Sequence, residues 1–159
     1  MSEPTAPTDI AVAVVVSGGR VLVGRRGDDA ADAPGMSEFP GGKVEPGEAV
    51  ECAVARECHE ESGIAVIVGP RLDLVRSTSS RGPILIHFHL ASPVDAGCPP
   101  RAPFAWVPIG ELSRCRFPSA NAGAVSLLPA LERSGRSVPD RITADPSPRG
   151  STDGSDRSA

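Results

Sequence analysis

Lysine is almost missing from this chain: Lys43 is the single example among the 16 Lys and Arg residues, and arginine carries the remaining positive charge. Positive charge is also in deficit overall, with a net charge of −4 at neutral pH. That balance leaves no electrostatic footprint for duplex nucleic acid or for an anionic membrane surface. Long apolar runs are missing as well, and nothing approaches the roughly 20 consecutive apolar residues that a membrane span needs. The first nine residues do not follow the charged-then-apolar order of a secretory signal, so a cytoplasmic location is expected. The four cysteines, Cys52, Cys58, Cys98 and Cys115, form neither a C-x-x-C pair nor a zinc-ligand spacing, which predicts reduced and mostly buried thiols. At 159 residues the chain is one domain with room for a core.

Residues 10–16 form a nearly unbroken run of β-branched residues and alanine. Ser17-Gly18-Gly19 and a second apolar run at 21–23 follow. Two strand signals around a Gly-Gly turn predict a hairpin. The acidic, small, proline-ended stretch 28–34 predicts a loop. Phe39-Pro40-Gly41-Gly42 leads to a further turn at 45–48, and a helix is expected over 48–62, stopped by Gly63. Strands are expected at 64–68, 72–75 and 84–90, then a proline-rich loop at 98–103, a short strand at 105–108 and a helical turn at 110–113. A second helix is expected over 120–133, with Ala124, Leu127, Leu128 and Leu131 at helical spacing. From residue 135 apolar side chains almost vanish, and too little apolar area remains to offset ordering entropy. The expected organisation is therefore a flexible N-terminus at 1–8, a folded domain at 9–134 and a disordered polar tail at 135–159. Strand pairs with one early and one late helix predict an α/β/α sandwich around a mixed sheet.

The chemistry-bearing signal lies in the first helix. Glu57, Glu60 and Glu61 are spaced i, i+3 and i+4, which puts them on one helical face, together with Val50, Ala53 and Val54. Clustered like charges are unfavourable, more so when partly desolvated. A divalent cation reverses the sign of that cost, and magnesium is held by a few carboxylates together with substrate phosphates.

With Gly42, Glu48, Arg56, Gly63 and Ile64, these glutamates form a pattern that resembles the Nudix box. Cys58 is the one departure, standing where an aliphatic residue is usual, and cysteine packs as a small hydrophobe. The resemblance implies the α/β/α sandwich independently. It also implies hydrolysis of a nucleoside diphosphate linkage with Mg²⁺ or Mn²⁺, ligated by Glu57, Glu60, Glu61 and the carbonyl of Gly41. In the nucleoside-triphosphate branch the first glutamate often serves as general base, which here is Glu57. Glu48 and Arg56 would brace the turn against the helix, with Gly42 and Gly63 as fixed structural positions.

Beyond the box, Arg26 aligns with an arginine that meets substrate phosphate in the triphosphate hydrolases, or it is, with Arg25, a solvated strand-end charge. Lys43 is either a chance survivor or a point charge beside the phosphates. His87 and His89 share one strand face around Phe88, which favours sheet packing or nucleobase contact over zinc. Phe117-Pro118-Ser119-Ala120-Asn121 resembles a segment of MutT-like enzymes whose asparagine reads an oxidised purine. Asn121 suits that role because it donates and accepts together, and it equally suits capping the last helix. The loop 98–105 lacks the extra metal-binding acid that many members carry, and Asp95 is the nearest candidate.

The leading expectation is a Mg²⁺-dependent hydrolase that converts a (deoxy)nucleoside triphosphate to monophosphate and pyrophosphate. Its partner is then a small nucleotide. Two other readings stay open: hydrolysis of a sugar nucleotide or dinucleotide, and a nucleotide sensor without turnover. The absence of tyrosine disfavours the dinucleoside polyphosphate branch, and retention of every box acid disfavours the sensor.

Overall fold

The computed structural model describes residues 3–134; the tail expected at 135–159 lies outside them. Seven strands, β1 (Thr8–Ser17), β2 (Arg20–Arg25), β3 (Ser37–Glu38), β4 (Gly41–Lys43), β5 (Val66–Ser79), β6 (Gly82–Pro93) and β7 (Ala105–Pro108), form a mixed sheet. Two α-helices, α1 (Val50–Ser62) and α2 (Ala122–Ser134), complete the fold. The main order is β3-β2-β1-β6-β5, with β4 against β1 and β7 against β2. Only β1 and β6 run parallel.

β1 explains why the apolar run is unbroken rather than alternating. Ala11, Ala13 and Val15 face a core with Ala53, Val54 and Cys58 of α1. Val12 and Val14 face a second core with Ala124 and Leu128 of α2. A strand covered on both faces has no polar side. The expected α/β/α sandwich is thereby present, in two apolar layers.

Several boundaries differ from expectation, each for a local reason. α1 starts at Val50 rather than at residue 48, because Glu48 belongs to a turn. Its N–H donates to the Glu45 carbonyl at 3.0 Å, and its carboxylate accepts the Glu45 N–H at 3.1 Å. Gly47 takes φ 77° in that turn. The two strands expected at 64–68 and 72–75 are one strand, β5, with irregular register between Val68 and Arg71 and again between Arg71 and Asp73. Gly69 and Pro70 sit in the first irregularity, where a proline cannot donate to a ladder. β3 and β4 were not expected, because they are short and β4 opens on Gly41-Gly42, which reads as a turn. In α2, Ala124 and Leu128 are fully buried while Leu127 is 40% exposed, so the apolar stripe excludes Leu127. Of the cysteines only Cys58 is buried, and Cys52 is exposed.

The C-terminus of α1 is closed as expected. Gly63 takes the left-handed φ of 76° and its N–H donates to the His59 carbonyl at 2.9 Å. The Ser62 hydroxyl donates to the Cys58 carbonyl at 2.6 Å and accepts the Ile64 N–H at 3.2 Å. From the loop between β6 and β7, Arg101 donates to the carbonyl of Glu60 through its guanidinium and to that of Ser62 through its N–H. No helix of the described residues is long and apolar enough to cross a membrane.

Candidate active site

Arg56 organises the acidic end of α1. Its Nε and Nη2 donate to the two oxygens of Glu48, each at 2.8 Å. Nη1 donates to Glu57 at 2.8 Å and Glu60 at 3.2 Å, and Nη2 donates also to the Lys43 carbonyl at 3.0 Å. All five guanidinium N–H groups are thus placed, in the planar fork that arginine alone offers. The pairing holds the Glu48 carboxyl down at about 2, with the Arg56 hydrogen bonds as the leading cause, and raises the guanidinium further.

The three glutamates of α1 do not share one environment. The Glu57 side chain is 15% exposed and Glu60 is 57% exposed, so Glu60 leans into solvent. Glu61 points the other way, accepting the Gly41 N–H at 3.4 Å. Burial pushes the Glu61 carboxyl up to about 7, against the Gly41 hydrogen bond, and the negative charges of Glu38 and Glu57 raise it further. Glu38 belongs to the same electrostatic cluster, whereas Asp95, the extra acid expected from sequence, is engaged elsewhere. Asp95 accepts the Gly97 N–H within its own turn, whereas the Glu38 carboxylate lies 3.2 Å from Arg26 Nε. Burial raises the Glu38 carboxyl and Arg26 lowers it.

Gly41 and Gly42 form the edge between these acids and a cavity of about 620 Å³. A Cβ at Gly42 would come within 2.5 Å of the Glu57 carboxyl, and one at Gly41 within 2.5 Å of the Ala11 carbonyl oxygen. Only glycine leaves that room. The cavity is lined by Arg26, Glu38, Phe39, Lys43, Phe88 and Asn121, among others, but not by the three α1 glutamates, which lie behind the glycine edge.

The other predicted residues are placed as follows. Arg26 Nη1 donates to the Asp32 carbonyl at 3.0 Å, while its buried Nε meets Glu38 off-axis, as a charge contact rather than a hydrogen bond. Arg25 turns away into a solvent-exposed pair with Asp28. Lys43 is exposed at the cavity rim. Phe88 is 1% exposed and forms part of the cavity floor, a packing position with little face to offer a base. Phe39 stacks on Phe117 at 4.8 Å between centroids. Asn121 ends a 3-10 turn (Ser119–Asn121) and stands directly before Ala122, the first residue of α2, so it holds the position of a helix cap and also lines the cavity. His89 is buried with Nδ1 at 3.0 Å from the Gly69 carbonyl, and His87 pairs with Asp9 at 2.9 Å; both serve the sheet.

Whether a divalent cation suits this group follows from its donors. Among the described residues no three His, Cys, Asp or Glu side chains converge into a complete metal cage. A magnesium site needs no such cage, since this ion takes one or two carboxylates and fills its shell with water and substrate phosphate. The hard oxygens of Glu57 and Glu61, whose mutual repulsion helps raise the Glu61 carboxyl, fit it.

Comparison with known proteins places these observations in a family. The NUDIX domain matches residues 7–131. A MutT-like protein of Streptomyces ambofaciens is 32% identical over 139 residues, covering 86% of this chain and 84% of that protein. The CTP pyrophosphohydrolase of Escherichia coli is 37% identical over 82 residues, 51% of this chain and 58% of that protein. Among solved structures, a MutT NUDIX hydrolase from Burkholderia pseudomallei superposes with a TM-score of 0.60 at 26% identity, covering 75% of this chain and 96% of that one.

Proposed function

The chain belongs to the Nudix hydrolase family and is a hydrolase of pyrophosphate bonds; on that premise we propose that its substrate is a (deoxy)nucleoside triphosphate, cleaved to the monophosphate and pyrophosphate. The observation that carries this reading is the glycine edge at Gly41-Gly42, with carboxylates on one side and a nucleotide-sized cavity on the other. The names of the relatives, a MutT-like protein and a CTP pyrophosphohydrolase, support it.

Mg²⁺, or Mn²⁺ in its place, would be held by Glu57, Glu60, Glu61 and the Gly41 carbonyl, and when bound supplies charge neutralisation at the phosphates and a more acidic water. The protein's own contribution is position and charge. Arg56 fixes Glu57 and the turn that delivers Gly42. Glu57 accepts the proton of the attacking water. Arg26 and Lys43 place positive charge along the phosphate chain. Asn121 offers a donor and an acceptor to the base edge, and Phe39 and Phe88 give the cavity its apolar wall. The domain limits of 9–134, the polar tail and a cytoplasmic setting belong to the same proposal.

A panel of normal and oxidised nucleoside triphosphates, sugar nucleotides and dinucleotides, incubated with Mg²⁺ in ¹⁸O-water, tests it. Monophosphate and pyrophosphate from a triphosphate are expected. Turnover confined to sugar nucleotides or dinucleotides would replace the substrate class. Tight nucleotide binding without turnover in either wild type or Glu57→Gln would instead make the chain a sensor.

A further inference from the structure

Residues 27–36 form a loop between β2 and β3 that is closed on itself at the base. Gly35 N–H donates to the Gly27 carbonyl, Arg26 N–H to the Met36 carbonyl, and the Arg25 side chain to the Gly35 carbonyl. The body of the loop has one hydrogen-bonded link to a distant part of the fold among the described residues. The Asp32 carboxylate accepts the Ser80 N–H at 2.9 Å and the Ser80 hydroxyl at 3.0 Å. Ser80 lies in the turn that joins β5 to β6, and both the loop (Ala30, Asp32) and that turn (Ser80, Arg81) line the cavity. The same residue holds a second element: its backbone carbonyl accepts Arg26 Nη1 at 3.0 Å.

We propose that Asp32 is a positioning residue whose side chain clasps the loop of residues 27–36 to the β5–β6 turn across the nucleotide cavity, while its carbonyl aims Arg26 into that cavity. The nucleotide and phosphate side of this inference rests on the function proposed above; the clasp itself does not. Two contacts in a water-exposed setting tie the loop to the β5–β6 turn, and no residue of 27–36 is fully buried. Segments with few buried contacts and exposed hydrogen bonds open at low cost. The clasp therefore opens to admit a nucleotide and closes over it, bringing Arg26 into place on closure. Its effect falls on substrate affinity rather than on the chemical step, because Asp32 and Ser80 line the cavity and the three α1 carboxylates do not.

The test uses Asp32→Ala, Ser80→Ala and Asp32→Asn in the full chain, with CTP, dGTP and oxidised dGTP as probes. Hydrogen exchange of residues 27–36 in the nucleotide-free protein, the Arg26 Nε–Hε NMR signal, and KM and kcat are read in parallel. Asp32→Ala is expected to accelerate exchange in the loop and the 79–82 turn, to shift the Arg26 signal, and to raise KM about five- to tenfold with kcat retained. Asp32→Asn keeps an acceptor for the Ser80 N–H and should restore most of each. Unchanged exchange in Asp32→Ala would overturn the clasp. Faster exchange with an unmoved Arg26 signal and an unmoved KM would overturn the positioning role. Should the wild type cleave none of the probes, the triphosphate reading fails on its own, and exchange with the Arg26 signal still decides the clasp.

Discussion

Arg56 grips both carboxylate oxygens of Glu48 at 2.8 Å, and this bidentate pair ties the turn before α1 to the acidic face of the same helix. Because the guanidinium also reaches Glu57, Glu60 and the Lys43 carbonyl, the relative placement of the glycine edge and the helix acids depends on one side chain. Arg56→Lys keeps the charge but offers three donors from a single nitrogen. It is expected to lower the melting temperature and to cut kcat by about tenfold or more, since misplaced catalytic groups lose orientation. Thermal melts and steady-state kinetics check both.

The same pair sets an acid-stability window. The Glu48 carboxyl titrates at about 2 in the folded protein, below its ordinary 4.5. A depressed carboxyl contributes stability in full above the unfolded value, and that contribution is lost as the pH falls through the folded one. Glu48→Gln should therefore melt below wild type at neutral pH, with the gap closing between about pH 4.5 and 2. A constant gap across that range in melts followed by circular dichroism would contradict the assignment.

Gly42→Ala is expected to be far more damaging to activity than to folding. The new methyl would meet the Glu57 carboxyl, and displacing a reacting group by about an ångström costs on the order of a hundredfold in rate. Turnover should fall by about that factor while the melting temperature moves by only a few degrees.

In α2, Gly123→Ala would by propensity alone stabilise a helix, by about 1 kcal/mol. Here a Cβ would run into the Asp73 carboxylate, which accepts the Leu74 N–H from its other oxygen. The Asp73 side chain must give way, so the substitution should forfeit that gain and leave stability within about 0.5 kcal/mol of wild type. The double variant with Asp73→Ala should recover part of the gain, as a denaturant-unfolding cycle would show.

Metal dependence has a readout apart from turnover. Chelation should abolish activity, with Mg²⁺ or Mn²⁺ restoring it, and millimolar Mg²⁺ should raise the melting temperature. At about a hundredfold over its dissociation constant a bound ion adds roughly 2.7 kcal/mol. Replacing Glu57 and Glu61 together by glutamine should remove that increment and raise the melting temperature of the metal-free protein. An unchanged response to Mg²⁺ in the double variant would contradict the ligand assignment.

The helix acids were legible because a helix converts spacing along the chain into neighbours on a face, and Arg56 and Glu48 were legible from the same motif. What separates Glu57, Glu60 and Glu61 was not. The Gly41 amide that Glu61 reaches comes from a strand too short to signal itself, so periodicity could not say that Glu60 would face solvent. Glu38 was not singled out as an acid, because its partner Arg26 lies far off in sequence, just past the end of β2. The nearest available signal was its closeness in sequence to Gly41. β5 was split into two because Gly69-Pro70 carries the composition of a loop, although the strand continues past its bulge. Asn121 had two compatible roles in sequence, and its place combines them, since it directly precedes Ala122 at the start of α2 and also lines the cavity.

β1 presents Ala11, Ala13 and Val15 to one layer and Ile10, Val12 and Val14 to the other, and this asymmetry partitions what the protein can change. Ile10 and Val12 line the cavity, while Ala11 and Ala13 pack beneath α1. Exchanging bulk on the valine side reshapes the ligand's berth and leaves the helix acids where they stand. Enlarging an alanine lifts the acids away from the glycine edge. New specificities are thus open to drift on one surface of a single strand, and its reverse surface is closed to it.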